Sequence, residues 1–194
     1  MPVRGSGSSR ELCQFGARTE SKRVTQRAAA RWDFDPSRSS PCALLQWAML
    51  SLIQRVTSAA VVVGGETVGA IGPGLLALVA VEPGDGPAQV ARMAQRLLGY
   101  RLFADEQGRM NRSLAQTGGG LLLVSQFTLA ADTASGMRPG FSTAAAPVEA
   151  ERIFGQLLQT CRQMHAPGVE TGRFGAHMVV SLVNDGPVTF LLRS

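Results

Sequence analysis

Histidine is nearly absent from this chain of 194 residues: His165 and His177 are the only two. A Ser/His/Asp triad needs an imidazole in a recognisable setting, and neither histidine stands in a motif. His165 falls at the end of an expected helix beside Pro167, where a cation suits the dipole and a structural role follows. His177 lies in "FGAHMVVSLV", on an expected strand, where a solvent-facing position serves it equally well. Cysteine is also scarce. Cys13, Cys42 and Cys161 are odd in number and widely separated. That excludes a disulfide framework and a CxxC metal site, and points to a reducing cytosol. There is no HExxH and no Walker loop, so neither a metal nor a cofactor is expected. No apolar run reaches the roughly 20 residues of a membrane helix, so no membrane partner is expected either.

Positive charge is missing where a nucleic-acid surface needs it. The net charge is +5. Residues 1–48 carry eight Lys/Arg against four Asp/Glu, and residues 49–194 carry the other 11 against 10. The main body is therefore close to neutral, without the footprint of a DNA-binding protein.

What is present divides at Met49. Residues 1–48, with "MPVRGSGSSR" and "DFDPSRSSP", are rich in Ser, Gly, Pro and Arg and lack a sustained apolar period. Such a segment cannot bury enough surface to offset its ordering entropy. It is expected to be a disordered extension, or a stretch ahead of a true start at Met49; four acids argue against an organelle-targeting segment. Residues 49–194 are expected to form one domain.

Within that domain, "LSLIQRV", "SAAVVV", "ETVGAI" and "GLLALVAV" are short apolar runs separated by Gly64-Gly65 and Gly72-Pro73-Gly74. Gly-Gly between two such runs predicts a hairpin. Val90, Met93, Ala94, Leu97 and Leu98 form one helical stripe over 87–98. Residues 121–130 read as a buried strand. Ala150, Ile153, Phe154, Leu157, Leu158 and Cys161 share one face of a helix over 147–164. "HMVVSLV" and "VTFLL" read as two closing strands. Alternating strands and helices predict a single-domain mixed α/β layer fold.

Two segments do not fit a purely structural role. Ser125-Gln126-Phe127-Thr128 places three polar side chains in an apolar strand, either where it reaches the surface or at a site. Asn184-Asp185-Gly186-Pro187-Val188-Thr189 has turn composition and reads as a hairpin turn or as something more. Its Gly-Pro bond can adopt the cis form at modest cost. Thr128 is a nucleophile by type, but the sequence supplies it with no base.

Together, "SQFTLAAD" (125–132), "GMRP" (136–139) with Phe141, "TGRFGAHM" (171–178) and "LVNDGPVT" (182–189) resemble the signature blocks of the D-aminoacyl-tRNA deacylases. "QRVTSAAV" (54–61), "GLLALVAVE" (74–82) and "LGYRLFADEQGRMN" (98–111) are also similar. The resemblance runs from Met49 to the C-terminus. Gly140 stands where the family often has Ser, and His177 where it often has Asp.

The resemblance implies a three-layer α/β/β fold, a cytoplasmic homodimer, and a partner that is the acceptor end of tRNA. It implies hydrolysis of the ester between a D-amino acid, or glycine, and the 3′-terminal adenosine, as chiral proofreading. It implies a cis Gly186-Pro187 bond that enters the partner subunit's site. There its two carbonyls face the substrate's α-amino group and an L side chain clashes with the wall. Phe127 is then an oxyanion donor through its main-chain N–H, and Ser125 and Gln126 contact adenosine or ester. Thr128 ranks below hydrolysis assisted by the ribose 2′-OH. Arg55 braces the Gly-Pro loop, Met137 and Pro139 match pocket-wall positions, and Thr189 closes the second motif. Arg112 and Arg138 are candidates for phosphate contacts. Two other readings remain: a relative with relaxed chirality acting on L-aminoacyl-tRNA, and a non-catalytic tRNA-binding module.

Overall fold

A computed structural model of the chain describes residues 48–134 and 136–194. The expected extension, with Cys13 and Cys42, lies outside the described residues except for Ala48.

Strand β1 (Leu50–Val63) turns through Gly64 and Gly65 into β2 (Glu66–Ile71), with Val63 opposite Glu66. Both glycines take positive φ, 59° and 87°, the geometry that lets a two-residue turn follow the strand twist. β3 (Gly74–Ala80) leads to helix α1 (Pro87–Gly99), whose buried stripe is the predicted one, Val90, Met93, Ala94, Leu97 and Leu98. A small hairpin, β4 (Arg101–Ala104) and β5 (Met110–Ser113), precedes the short helix α2 (Leu114–Thr117). Then come β6 (Gly120–Ser125), a 3₁₀ turn (Phe127–Ala130), helix α3 (Pro147–Met164), β7 (Val169–Thr171) and β8 (Val179–Arg193).

β1 organises the sheet. One of its edges pairs with β3 over Leu50–Val56 and with β2 over Ala59–Val63, while the other pairs with β8 along nearly its whole length. β6 runs parallel to β3, and β7 parallel to β6. β3 and β6 are apolar on both faces because both are covered. Leu75, Ala77, Leu121 and Leu123 meet the helices, with Leu97 and Leu157 in the same core. Leu76, Leu122 and Val124 form a second core with Val56, Ala59 and Val61 of β1. β2 crosses back over this second face so closely that a Cβ at Gly69 would lie 2.5 Å from the carbonyl oxygen of Thr171. Helices, central sheet and β1–β2–β8 flap make three layers, as the resemblance implied.

Three expectations are corrected. The strand expected over 121–130 stops at Ser125. The Gln126 N–H bonds the Val79 carbonyl at 2.7 Å, at the end of β3, and the chain then tightens into the 3₁₀ turn, with Leu129 N–H on Gln126 O at 3.1 Å. Residues 184–189 do not reverse the chain. From Val179 on, "HMVVSLV" and "VTFLL" are parts of one strand, β8, antiparallel to β1 on both sides of the motif. The turn chemistry is real, but it makes a bulge. His177 is not on a strand; it lies in the loop between β7 and β8. His165 has the structural role expected of it, 4% exposed with Nε2 2.7 Å from the Gly119 carbonyl oxygen.

Candidate active site

The bulge is built by β1. Gln54 pairs with Thr189 and Val56 with Asn184, so two steps along β1 face five along β8. The excess residues loop out opposite Arg55. The Asn184 amide spans the loop's base, donating from Nδ2 to the carbonyls of Arg55 and Val188 at 3.3 Å each. Arg55 Nε donates to the Asp185 carbonyl at 2.9 Å and lies 2.9 Å from Asp185 Oδ2. Its Nη1 donates to the Leu102 carbonyl at 2.6 Å, tying the bulge to the β4–β5 hairpin. A Cβ on Gly186 would lie 2.1 Å from Val188 N and 2.4 Å from Asn184 Oδ1, so only glycine fits there. The Gly186-Pro187 bond is cis. Both residues are exposed while Val188 is buried beneath them.

The second candidate element is a cavity of about 540 Å³ at the carboxyl ends of the parallel strands β3 and β6. Val79, Val81, Val124 and Ser125 form its floor, Gln126 and Phe127 its rim, and Pro147, Ala150 and Phe154 of α3 one wall. Phe141 and the loop Phe174–Met178 close the rest. Phe127 and Phe141 meet as tilted rings at 5.2 Å between centroids, and Phe154 and Phe174 at 6.1 Å. His177 is the one titratable side chain among the lining residues. Phe127 occupies the first position of the 3₁₀ turn, where an N–H has no acceptor inside the helix and is left for another group. Thr128 is exposed and outside the lining, and its hydroxyl accepts a hydrogen bond from Gln126 Nε2.

The expected residues thus fall into separate groups. Ser125, Gln126 and Phe127 line the cavity. Arg55, Gly186, Pro187 and Thr189 belong to the bulge, and none of them lines it. Met137 and Pro139 are exposed and also absent from the lining, Met137 being 101% exposed. Arg112 donates from Nη2 to the Gln116 carbonyl at 3.0 Å. Sequence reasoning assigned nothing to Asn184, Asp185 or Leu102, which hold the bulge, nor to Phe174 and His177 as cavity walls. The signal for Asn184 was its place two residues before a Gly-Pro pair; the cavity walls come from loops without a periodic signal.

A largely apolar pocket with a few polar groups, set where two parallel strands end, is a candidate ligand site in an α/β/β domain. Residues 52–193 match the family model described as D-Tyr-tRNA(Tyr) deacylase, and the chain belongs to that family. A D-aminoacyl-tRNA deacylase of Stenotrophomonas maltophilia (strain K279a) is 77% identical over 145 residues, 75% of this chain and 99% of that protein. One of Xanthomonas campestris pv. campestris (strain 8004) is 73% identical over the same shares. Among solved structures, a c-Myc DNA unwinding element binding protein superposes with TM-score 0.72 at 37% identity, over 75% of this chain and 98% of that one. A probable eukaryotic D-amino acid tRNA deacylase, 15% identical, shares the fold at TM-score 0.67.

Proposed function

We propose that residues 49–194 form a D-aminoacyl-tRNA deacylase, which hydrolyses the ester joining a D-amino acid, or glycine, to the 3′-terminal adenosine of tRNA. The observation that carries this reading is 77% identity to a deacylase over 99% of that protein's length. The cavity supports it: about 540 Å³ of largely apolar space with aromatic walls suits a nucleoside.

Catalysis in this reading rests on main-chain groups. The Phe127 N–H donates to the oxyanion, and Ser125 and Gln126 hold the ester and adenosine. No imidazole–hydroxyl pair is required, because an aminoacyl ester is already activated and the vicinal ribose 2′-OH assists the water. Positioning and charge stabilisation supply the rate.

Chirality is read across a homodimer in the cytoplasm. Within one chain the bulge does not line the cavity, so the site is completed by the Gly186-Pro187 carbonyls of a second copy. β8 supports such an association. Its outer edge pairs with no other described strand, and it exposes Val179, Leu182, Val183, Phe190 and Leu191. A long apolar edge strand of this kind calls for a cover. The wall formed by the carbonyls excludes an L side chain and admits glycine, which has none.

Purified protein incubated with D-tyrosyl-, L-tyrosyl- and glycyl-tRNA tests the reading by following release of the amino acid. Deacylation of the first and third and sparing of the second is expected. Inertness towards D-tyrosyl- and glycyl-tRNA overturns it, and turnover of L-tyrosyl-tRNA overturns the chirality filter.

A further inference from the structure

Asp85 lies between β3 and α1 and is 6% exposed. Its Oδ1 accepts the Met49 N–H at 2.9 Å and its Oδ2 the Glu82 N–H at 2.8 Å. Glu82 in turn accepts the Ala48 N–H on Oε2 at 2.9 Å. Two carboxylates therefore converge on two consecutive main-chain nitrogens at the entrance to β1. Burial raises the pKa of Asp85, the Glu82 and Met49 N–H groups lower it, and the nearby Glu82 charge raises it; no cation is among these influences. A buried carboxylate beside a second one, with only neutral donors, lacks the countercharge that burial calls for.

The nitrogen of Met49 stands where that countercharge belongs. The Met49 side chain is fully buried in the helical core, and its carbonyl accepts the Ser194 N–H at 3.1 Å, so both ends of the residue are fixed. The likeness to relatives bears on the same region, since the family model matches residues 52–193. The S. maltophilia relative is covered over 99% of its length by a match to 75% of this chain, and the 37%-identical solved chain over 98%. Neither of these two chains carries an extension of this size.

We propose that Asp85 and Glu82 are the receptor for the α-ammonium group of a chain that starts at Met49, where a buried ion pair replaces an amide contact. This rests on the contacts at Met49 and not on the deacylase reading. An ammonium held by two carboxylates has its pKa raised above the ordinary value of about 7.7–8.0. Its contribution is fully present below about pH 8 and is lost as pH rises through the raised folded value.

The test compares thermal unfolding of three forms: residues 49–194 with a free α-amine, the same chain acetylated at Met49, and the full chain of 194 residues. The free amine is expected to melt roughly 3–6 °C above the acetylated form at pH 6–7, with the gap closing towards pH 10. The full chain should behave like the acetylated form. Asp85→Asn should erase the gap. Should Asp85→Asn fail to fold, acylation of the α-amine at pH 7 decides: native protein should react about tenfold more slowly than urea-unfolded protein. Equal melting of free and acetylated forms, or equal acylation of native and unfolded protein, overturns the proposal. Deacylase activity is not a readout, so failure here leaves the functional reading untouched.

Discussion

Arg55 grips Asp185 through a single nitrogen, with Nε 2.9 Å from both the main-chain carbonyl and a carboxylate oxygen. The Asp185 side chain is 51% exposed and that of Arg55 17%, so the ion pair itself contributes little, of order 0–1 kcal/mol. Of the two Asp185 contacts, the main-chain bond is the one that helps hold the bulge, together with the Asn184 amide. Asp185→Asn keeps that bond and should change kcat/KM on D-tyrosyl-tRNA by less than about threefold. Arg55→Ala removes the side-chain ties to the Asp185 and Leu102 carbonyls, leaving only the Asn184 bonds and the flanking β1 pairing, and should lower kcat/KM by roughly 10–100-fold. Arg55→Lys should rescue only part, because an ammonium lacks the guanidinium fork. Equal loss in the Asn and Ala variants would show that charge, not the main-chain bond, matters.

Removing the Phe127 N–H without unfolding the turn is feasible, because a first helical position accepts proline. Gln126 before it already has φ −141° and ψ 74°, outside the helical region that a following proline disfavours. Phe127→Pro should reduce kcat by about 10²–10³-fold, the usual cost of one oxyanion donor. Phe127→Ala keeps the N–H and serves as control for loss of the ring against Phe141. Similar kinetics for the two variants would remove the N–H from the mechanism.

Thr128 has the right hydroxyl in the wrong setting for a nucleophile. Its Oγ1 accepts from an amide, and it stands outside the cavity lining. Thr128→Ala should retain kcat within about threefold, since no base activates the hydroxyl. A loss matching that of Phe127→Pro, with burst kinetics in the parent protein, would restore it as a nucleophile.

Burial pushes the Cys161 thiol up to about 12. In a Cys13→Ser, Cys42→Ser background, the native protein should resist alkylation at pH 8 and react fully in urea, since the thiolate is the reactive form. The thiol is more acidic unfolded than folded. Its stabilising effect is therefore complete below about pH 9 and is lost as pH rises from there to about 12. Rapid native alkylation would contradict the packing of α3 against the sheet.

The two long helices were legible because each buries one stripe at helical spacing, and α3 spans Pro147–Met164 as its apolar face and proline predict. The Gly64-Gly65 hairpin was legible because its turn is local. The two motifs were misread in shape for a common reason. Where β6 ends depends on the length of β3, and whether residues 184–189 turn or bulge depends on pairing with β1, some 130 positions away. β7, three residues held by β6, is too short for any periodic signal. The candidate site divides between the two motifs that the sequence singles out, but the Phe141, Phe174 and His177 walls exist only through tertiary packing.

Arg55 acts on the bulge of its own chain, whereas Phe127 acts on the cavity of its own chain. If each working site joins one chain's cavity to the other chain's bulge, two impaired variants should repair one another. Arg55→Ala and Phe127→Pro proteins, unfolded together and refolded as a mixture, form mixed dimers in which one site has both parts intact and the other has neither. Random association makes half the dimers mixed, so activity should return to about one quarter of the parent's. Each variant refolded alone should stay at its own low level. Absence of recovery, with mixed dimers verified by differently tagged chains, would place both motifs in one subunit's site and end the cross-subunit account of chirality.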